Sequence, residues 1–261
     1  MTVDHYAGVA RGWAEGATLV YGPIVRMLVA TSPHALAGRV VLDLGSGTGI
    51  ADGPLAEAGA TSLAVDLSAD MLRWNAPARP AGVVADVRRL PLSDRRVDDV
   101  VAAFVFNHLT DPERALAEAA RVTRRGGAVL ACVYANSSRS AVRDALDDAA
   151  REHGWVVPDW YVALKEQATP ILGTVADMAA AAVAAGLHPV ATEERAVDVG
   201  VTTAEQMVGY RLGQAQFAGW VNAMGAVRAR EVKAALADRI RLVMEPFRPA
   251  VVFLASLVPA A

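Results

Sequence analysis

Val41-Leu42-Asp43-Leu44-Gly45-Ser46-Gly47-Thr48-Gly49 is the segment from which the rest of the chain is read. An apolar run, Arg39–Leu44, has the composition of a buried strand and stops at three alternate glycines. A glycine loop at a strand end lets the backbone approach a ligand with no Cβ in the way. The dinucleotide fingerprint spaces its glycines G-x-G-x-x-G, whereas here they fall at 45, 47 and 49 and an aspartate precedes them. Asp43 disfavours a pyrophosphate and favours the cationic amino group of an amino-acid-bearing ligand.

Working outward, strand-like and helix-like runs alternate. The pattern predicts a helix over Thr48–Ala58, a strand over Ser62–Asp66, a short helix over Ala69–Asn75 and strands over Val83–Asp86 and Val97–Val105. A helix over Pro112–Arg124 follows, with Asp111 as its cap, Pro112 at its first position and Gly126-Gly127 as its stop. A fifth strand covers Gly127–Tyr134. Strands separated by single helices, with near-continuous Val/Ala/Leu runs, predict an α/β fold, a doubly wound and mostly parallel sheet covered on both faces.

Beyond Tyr134 the expected elements are a helix at Ser140–Glu152, an irregular aromatic insertion HGWVVPDWY, a helix at Thr174–Ala185 and a strand near Leu187–Val197. A final strand is expected at Ala250–Val258. The roughly 50 residues between the last two strands exceed what a hairpin needs and are expected to be an inserted helical lid. One domain is therefore expected. Its parts are an N-terminal helical cap (1–38), a cofactor core (39–134), an aromatic insertion with helix and strand (135–200), the lid (201–249) and the last strand (250–261).

Asp66 ends the second strand 21 residues after Gly45, where α/β nucleotide binders place a carboxylate for the ribose hydroxyls. Asp86 ends the third strand, in reach of an adenine edge. Three acidic residues at three successive strand ends around a glycine loop suit a ligand with ribose, adenine and ammonium but no phosphate. S-adenosylmethionine is that ligand.

With these residues assembled, the chain resembles the class I S-adenosylmethionine-dependent methyltransferases, in the type 11 branch similar to the ubiquinone and menaquinone methyltransferases. The matching segments are VLDLGSGTG, AVDLSADML and ADVRRLPLSDRRVDDVVAAFVFNHLTDPERALAEAARVTRRGGAVL, which lie within residues 41–130, about a third of the chain. The resemblance implies that Asp43, Gly45 and Gly47, with Ser46 and Gly49 in the same loop, surround the methionine moiety. It implies Asp66 at the ribose, Leu67 and Met71 flanking the adenine, Asp86 and Val87 at the adenine edge, and Phe104 beside the cofactor. Catalytic residues vary with substrate in this family and are not carried over.

Composition narrows the partners. The 261 residues carry a net charge of −3 and a pI near 6.0, which supply no field attracting a polyanion. A small-molecule acceptor is expected, and no nucleic acid. Cys132 is the single cysteine, and the five histidines lack ligand spacing, so neither an internal disulfide nor a metal site is expected. The opening MTVDHYAGVARGW has no secretory apolar run, and Met178–Ala185 is too short to span a bilayer. A soluble, cytoplasmic protein that does not bind membranes is expected.

Methyl transfer needs alignment and water exclusion more than a base. His108, in FVFNHLTD, sits after the fourth strand and is the candidate general base; the alternative is that it orders the loop or shapes the cofactor pocket. Asn107 is a candidate to orient the acceptor or to cap the turn. Tyr6 and Tyr21 read either as pocket residues under a closing N-terminal helix or as plain packing, and His5 as solvated. Trp155, Trp160 and Tyr161 read as a satellite cluster under a loop or as a wall for a planar substrate. A helix over Ala204–Val221 would align Met207, Tyr210, Gln214, Phe217 and Val221, with Tyr210 and Gln214 as acceptor-binding tips; the same stripe also suits packing on the sheet edge. Arg88, Arg89, Arg95, Arg96, Arg121, Arg124 and Arg125 read as solvated faces.

The function expected is methyl transfer to an O, N or C nucleophile of a small metabolite, in natural-product biosynthesis. The alternative is a methyltransferase-like protein whose bound cofactor promotes a cyclisation or rearrangement without methylation. A nicotinamide oxidoreductase is disfavoured by Asp43 and the glycine spacing, and a non-catalytic binding module by the completeness of the cofactor constellation.

Overall fold

Valine-rich runs favour extended backbone and, when buried on both faces, line up as a parallel sheet. A computed structural model, which describes residues 4–260, places seven strands in one sheet: β1 (Val40–Leu44), β2 (Thr61–Asp66), β3 (Gly82–Val84), β4 (Asp99–Ala103), β5 (Ala128–Tyr134), β6 (His188–Ala196) and β7 (Ala250–Leu257). Their order is β3-β2-β1-β4-β5-β7-β6, with β7 antiparallel to both neighbours and all other pairs parallel. The chain reverses direction across the sheet between β1 and β4, so a crevice opens at the carboxyl ends of those strands.

The helices are α1 (Ala10–Gly12), α2 (Thr18–Ala30), α3 (Asp52–Glu57), α4 (Ala69–Arg73), α5 (Pro112–Val122), α6 (Ala141–Glu152), α7 (Asp159–Gln167), α8 (Val175–Ala184), α9 (Ala204–Leu212), α10 (Ala215–Ala223) and α11 (Gly225–Ile240). Alternate strand residues face opposite layers. Val41, Val101, Leu130 and Phe253 pack with α2, α6, α9 and α11, while Leu42, Val100, Val129 and Val252 pack with α5 and α8. Among the described residues no helix is long and apolar enough to cross a membrane.

Several local expectations change. The helix after the glycine loop begins at Asp52 rather than Thr48, because 48–51 are spent in turns. Asp111 stands at the start of α5 but makes no side-chain cap; its carboxylate takes a bond from Arg88 Nη1 at 3.2 Å. Helix α5 stops at Val122, since Thr123 turns extended and bonds back through Oγ1 to the Ala119 carbonyl at 2.7 Å. The expected irregular insertion is helical from Asp159, so Trp160 and Tyr161 stand on α7. The helix expected over Ala204–Val221 is two, broken at Gly213 and Gln214, where Gln214 is extended (φ −81°, ψ 151°). Of the arginines read as solvated faces, Arg89, Arg95, Arg96, Arg124 and Arg125 are exposed, while Arg88 and Arg121 are half-buried in ion-paired groups. Arg121 bonds to Glu118, Asp94 and two carbonyls, and Arg124 pairs with Asp98.

A π-helical stretch, Trp13–Ala17, joins α1 to α2. It lies against α9 backbone to backbone. A Cβ on Gly16 would fall 2.2 Å from the Gly209 carbonyl oxygen, and one on Gly213 would fall 2.3 Å from that of Gly12. Two glycine pairs, each four residues apart, therefore interlock, and this contact docks the N-terminal segment on the helices between β6 and β7.

Candidate active site

The glycine loop leaves β1 with φ of +65°, +53° and +93° at Gly45, Gly47 and Gly49, a run that side-chain-bearing residues rarely adopt. Its shape is fixed by its surroundings. Ser46 N–H donates to the Val65 carbonyl at 3.0 Å and Gly47 N–H to Asp66 Oδ2 at 2.8 Å. Beneath the loop, Arg79 donates to the carbonyls of Gly47 (3.0 Å) and Met71 (3.1 Å) and to Asp52 (2.9 Å), clamping the loop to α4. Nothing in the sequence around Arg79 signals this role.

The crevice holds a cavity of about 480 Å³, within the range of roughly 300–1,000 Å³ typical of small-molecule sites. Gly45, Ser46, Gly47, Asp66, Leu67, Met71, Asp86, Val87 and Phe104 all line it. Phe104 has φ of +56°, strained for an aromatic residue and stored at the end of β4 where the wall turns. Asp66 Oδ1 also accepts from Ser68 N–H at 2.8 Å. Burial raises the Asp66 carboxyl pKa, against those two backbone bonds. The Asp86 carboxylate faces Arg88, which bonds it at 2.7 Å and joins it to Asp111, so it enters the site as part of an ion-paired group. Two residues of the glycine segment, Asp43 on β1 and Gly49 in the loop, stand behind the wall. Asp43 is 2% exposed, and burial holds its carboxyl well above the carboxylate range. Gly49 packs against Asp52 and Arg79.

The rest of the lining comes from separate parts of the chain. Tyr6, Trp13 and Tyr21 reach it from the N-terminal segment, Asn107 and His108 from the loop after β4, and Tyr134 from the end of β5. Trp160, Tyr161 and Lys165 come from α7, Thr169 from the turn after it, and Gln214 and Gln216 from the break between α9 and α10. The N-terminal segment is tied down by Gly8 N–H bonding Asp70 at 2.9 Å and by Val9 and Ala10 packing with Met71 and Ala215. Trp13 stacks on Tyr21 at 5.1 Å, Tyr6 meets Trp13 edge-on at 5.5 Å, and His5, though exposed, stacks on Trp160 at 4.5 Å.

Behind this wall runs a buried polar network. Gln214 Nε2 donates to the hydroxyls of Tyr21 (3.0 Å) and Tyr210 (3.5 Å), Tyr210 meets the Tyr134 hydroxyl at 3.1 Å, and Gln214 Oε1 accepts from Arg211 and Gln216. Tyr210 is thus a second-layer support, 1% exposed, and does not itself line the cavity. The stripe partners Met207 and Phe217 are fully buried in the core. The aromatic trio divides: Trp155 is buried on Phe217 at 4.0 Å, while Trp160 and Tyr161 face the cavity.

His108 lines the cavity, but its ring makes no hydrogen bond to a described residue. Burial, and then the Lys165 charge, lower its pKa to about 4, so the expected titration near neutrality is replaced by a ring that stays neutral. Trp13, Tyr134 and Lys165 were not singled out from the sequence. Lys165 alone carried a signal, being one of two lysines among 25 basic residues.

Orphaned groups test whether S-adenosylmethionine fits. Asp43 Oδ2, Ser46 Oγ and Asn107 Oδ1 are buried without a hydrogen-bond partner, although buried polar atoms are almost always paired. The first two flank the glycine loop, where a ligand ammonium and amino-acid backbone would satisfy them. Both Asp66 oxygens already accept one bond and retain a lone pair for hydroxyl donors. The residues present fit the group.

Residues 42–131 match a family described as a methyltransferase domain. A demethylmenaquinone methyltransferase of Mycolicibacterium paratuberculosis is 36% identical over 161 residues, 58% of this chain and 70% of that protein. Matches to other proteins of that name span about half of those proteins' length. Among solved structures, a methyltransferase in complex with the Trm112 activator of Haloferax volcanii superposes with a TM-score of 0.60 at 20% identity, over 98% of this chain and 96% of that one. The [4+2]-cyclase SpnF superposes with a TM-score of 0.58 at 17% identity, over 92% and 81%. These two likenesses establish the shared fold.

Proposed function

The chain belongs to the class I S-adenosylmethionine-dependent methyltransferases, in their type 11 branch, and we propose that it methylates an oxygen, nitrogen or carbon nucleophile of a small, partly apolar metabolite. The observation that carries this reading is one cavity lined both by the strand-end residues and by aromatic rings with a few polar tips. A role in natural-product biosynthesis and a cytoplasmic setting, with no nucleic-acid partner, belong to the same proposal and accord with the net charge of −3.

In this reading Asp43 and the loop of Gly45, Ser46, Gly47 and Gly49 hold the methionine part, Asp66 the ribose, Leu67 and Met71 the adenine faces, and Asp86 and Val87 its edge. Phe104 closes the wall. When bound, the cofactor supplies a methyl carbon made electrophilic by its sulfonium. The protein aligns the acceptor and excludes water. Tyr6, Trp13 and Trp160 shield the cavity, Tyr21 is held in place through Gln214, and Asn107 offers an unpaired acceptor oxygen to an incoming donor. With its lowered pKa, His108 is a weak base, which suits an acceptor already deprotonated or a neutral nucleophile.

The test is incubation with S-adenosylmethionine and a panel of acceptors, starting with demethylmenaquinone, named by the relatives, and continuing through phenols, carboxylic acids and amines. S-adenosylhomocysteine formed in equal amount to methylated product is the expected result. Acceptor consumed with no S-adenosylhomocysteine formed would replace this reading with the cyclisation or rearrangement alternative.

A further inference from the structure

Helix α7 has no buried residue, yet Trp160, Tyr161, Leu164 and Lys165 all line the cavity. A nine-residue helix whose apolar side chains face an internal space is covered by what fills that space. Lys165 is the unusual member. Among the described residues no carboxylate pairs with it, although two of the three nearby arginines are matched: Arg211 to Asp147 at 2.6 Å and Arg143 to Asp144 at 3.8 Å. The carboxylates that line the cavity are Asp4, Asp66 and Asp86, which stand with the N-terminal segment and the strand ends. On Lys165's own side the charged neighbours are Arg139, Arg143 and Arg211, and the neutral His108 ring also senses its charge.

We propose that Lys165 is the specificity-determining residue of the acceptor site and that the acceptor carries an anionic oxygen, a carboxylate or an ionised phenol or enol, which pairs with its ammonium. This rests on the reading of the aromatic half of the cavity as the acceptor site. Lys165 is exposed, and its ammonium lines the cavity among three guanidinium groups with no carboxylate of its own, so a bound anion is the partner that the geometry admits. Aromatic walls beside the ammonium add the requirement for a flat apolar body. Desolvation and the three arginines lower the Lys165 pKa to about 8, so the charge that selects an anion is present below that pH and lost above it.

Quenching of tryptophan fluorescence tests this directly, because Trp13 and Trp160 line the cavity. Two matched pairs serve as probes, 2-naphthoate against 2-naphthamide and 4-nitrophenolate against 4-nitroanisole, each with and without saturating S-adenosylhomocysteine. The expected result is that at least one anion binds about tenfold or more tighter than its neutral partner. The pair that responds identifies the source of the oxygen. Lys165→Met should erase the preference and Lys165→Arg should keep most of it, with S-adenosylhomocysteine affinity unchanged in both. In the wild type the preference should fall as pH rises through about 8, a readout independent of whether the variants fold. Equal binding within both pairs, or a preference that persists in Lys165→Met or across pH 8, would overturn the proposal. Failure to bind S-adenosylhomocysteine while the anion preference holds would count instead against the methyltransferase reading of the other wall.

Discussion

The two walls of the cavity are built by different means. The cofactor wall is mainly backbone: glycine dihedrals, amide hydrogen bonds to Asp66 and a guanidinium clamp on two carbonyls, all within about 65 residues of chain. Side chains from five separated segments make the acceptor wall, joined by contacts as remote as the 193 residues between Tyr21 and Gln214. A wall made of local backbone geometry holds one ligand across many relatives, whereas a wall made of side chains on docked helices changes with each substitution. On the proposed function, the first holds the cofactor and the second selects the acceptor.

The sharpest break of this contrast is at Gly16. Adding one methyl group there forces Gly209 away, and Gly16→Ala should cost about 3 kcal/mol or more of stability. Denaturant unfolding measures it; a variant of wild-type stability would show that the N-terminal segment is not locked to α9. Asp66→Ala strikes the other wall. It should weaken S-adenosylmethionine binding by about 1–3 kcal/mol through loss of a hydroxyl acceptor and of the Gly47 bond, with the fold intact. Calorimetric titration of a folded variant with unchanged affinity would remove the residue from the ribose site.

Gln214→Ala leaves Arg211, Gln216 and the Tyr21 hydroxyl each short of a partner. We expect about 1–2 kcal/mol of lost stability together with a raised acceptor KM, while cofactor affinity stays within twofold or so. A change in kcat/KM with no change in melting would mean that the network positions the acceptor without supporting the fold.

His108 gives the smallest effects. Its pKa of about 4 lies below the ordinary 6.5, so folding is penalised as pH falls from 6.5 towards 4 and is unaffected above that window. Between pH 7 and pH 5 the wild type should lose more stability than His108→Asn does, and an NMR titration should find the ring neutral at pH 6. At pH 7, His108→Ala should lower turnover by less than about 10², since so weak a base contributes little to proton transfer. A larger loss with cofactor affinity intact would restore the general-base role.

The core strands, the mostly parallel sheet and the cofactor were legible because each rests on short-range pattern. Runs such as Val41–Leu44 and Val100–Ala103 specify buried strands, and the alternate glycines specify positive φ wherever the chain folds. Helix ends were less legible. Gly213 breaks its helix where it packs on the remote Gly12 backbone, which no local propensity encodes, whereas α5 ends at Thr123 with a local bond back to the Ala119 carbonyl. The aromatic stretch 153–161 was visible as a cluster, but whether a ring faces the core or the cavity depends on where α7 starts.

By itself, then, the sequence determined a doubly wound sheet, a glycine loop without phosphate chemistry and carboxylates at successive strand ends, because these follow from periodicity and backbone sterics along contiguous residues. Tertiary structure alone decided that α7 lines more of the cavity than the 201–249 segment does. It also decided that Tyr210 stands behind that wall, that His108 is neutral and that Lys165 faces the cavity without a carboxylate. Each of these depends on burial and on charges brought together from remote parts of the chain, and burial and potential are properties of packing that have no counterpart in a linear pattern.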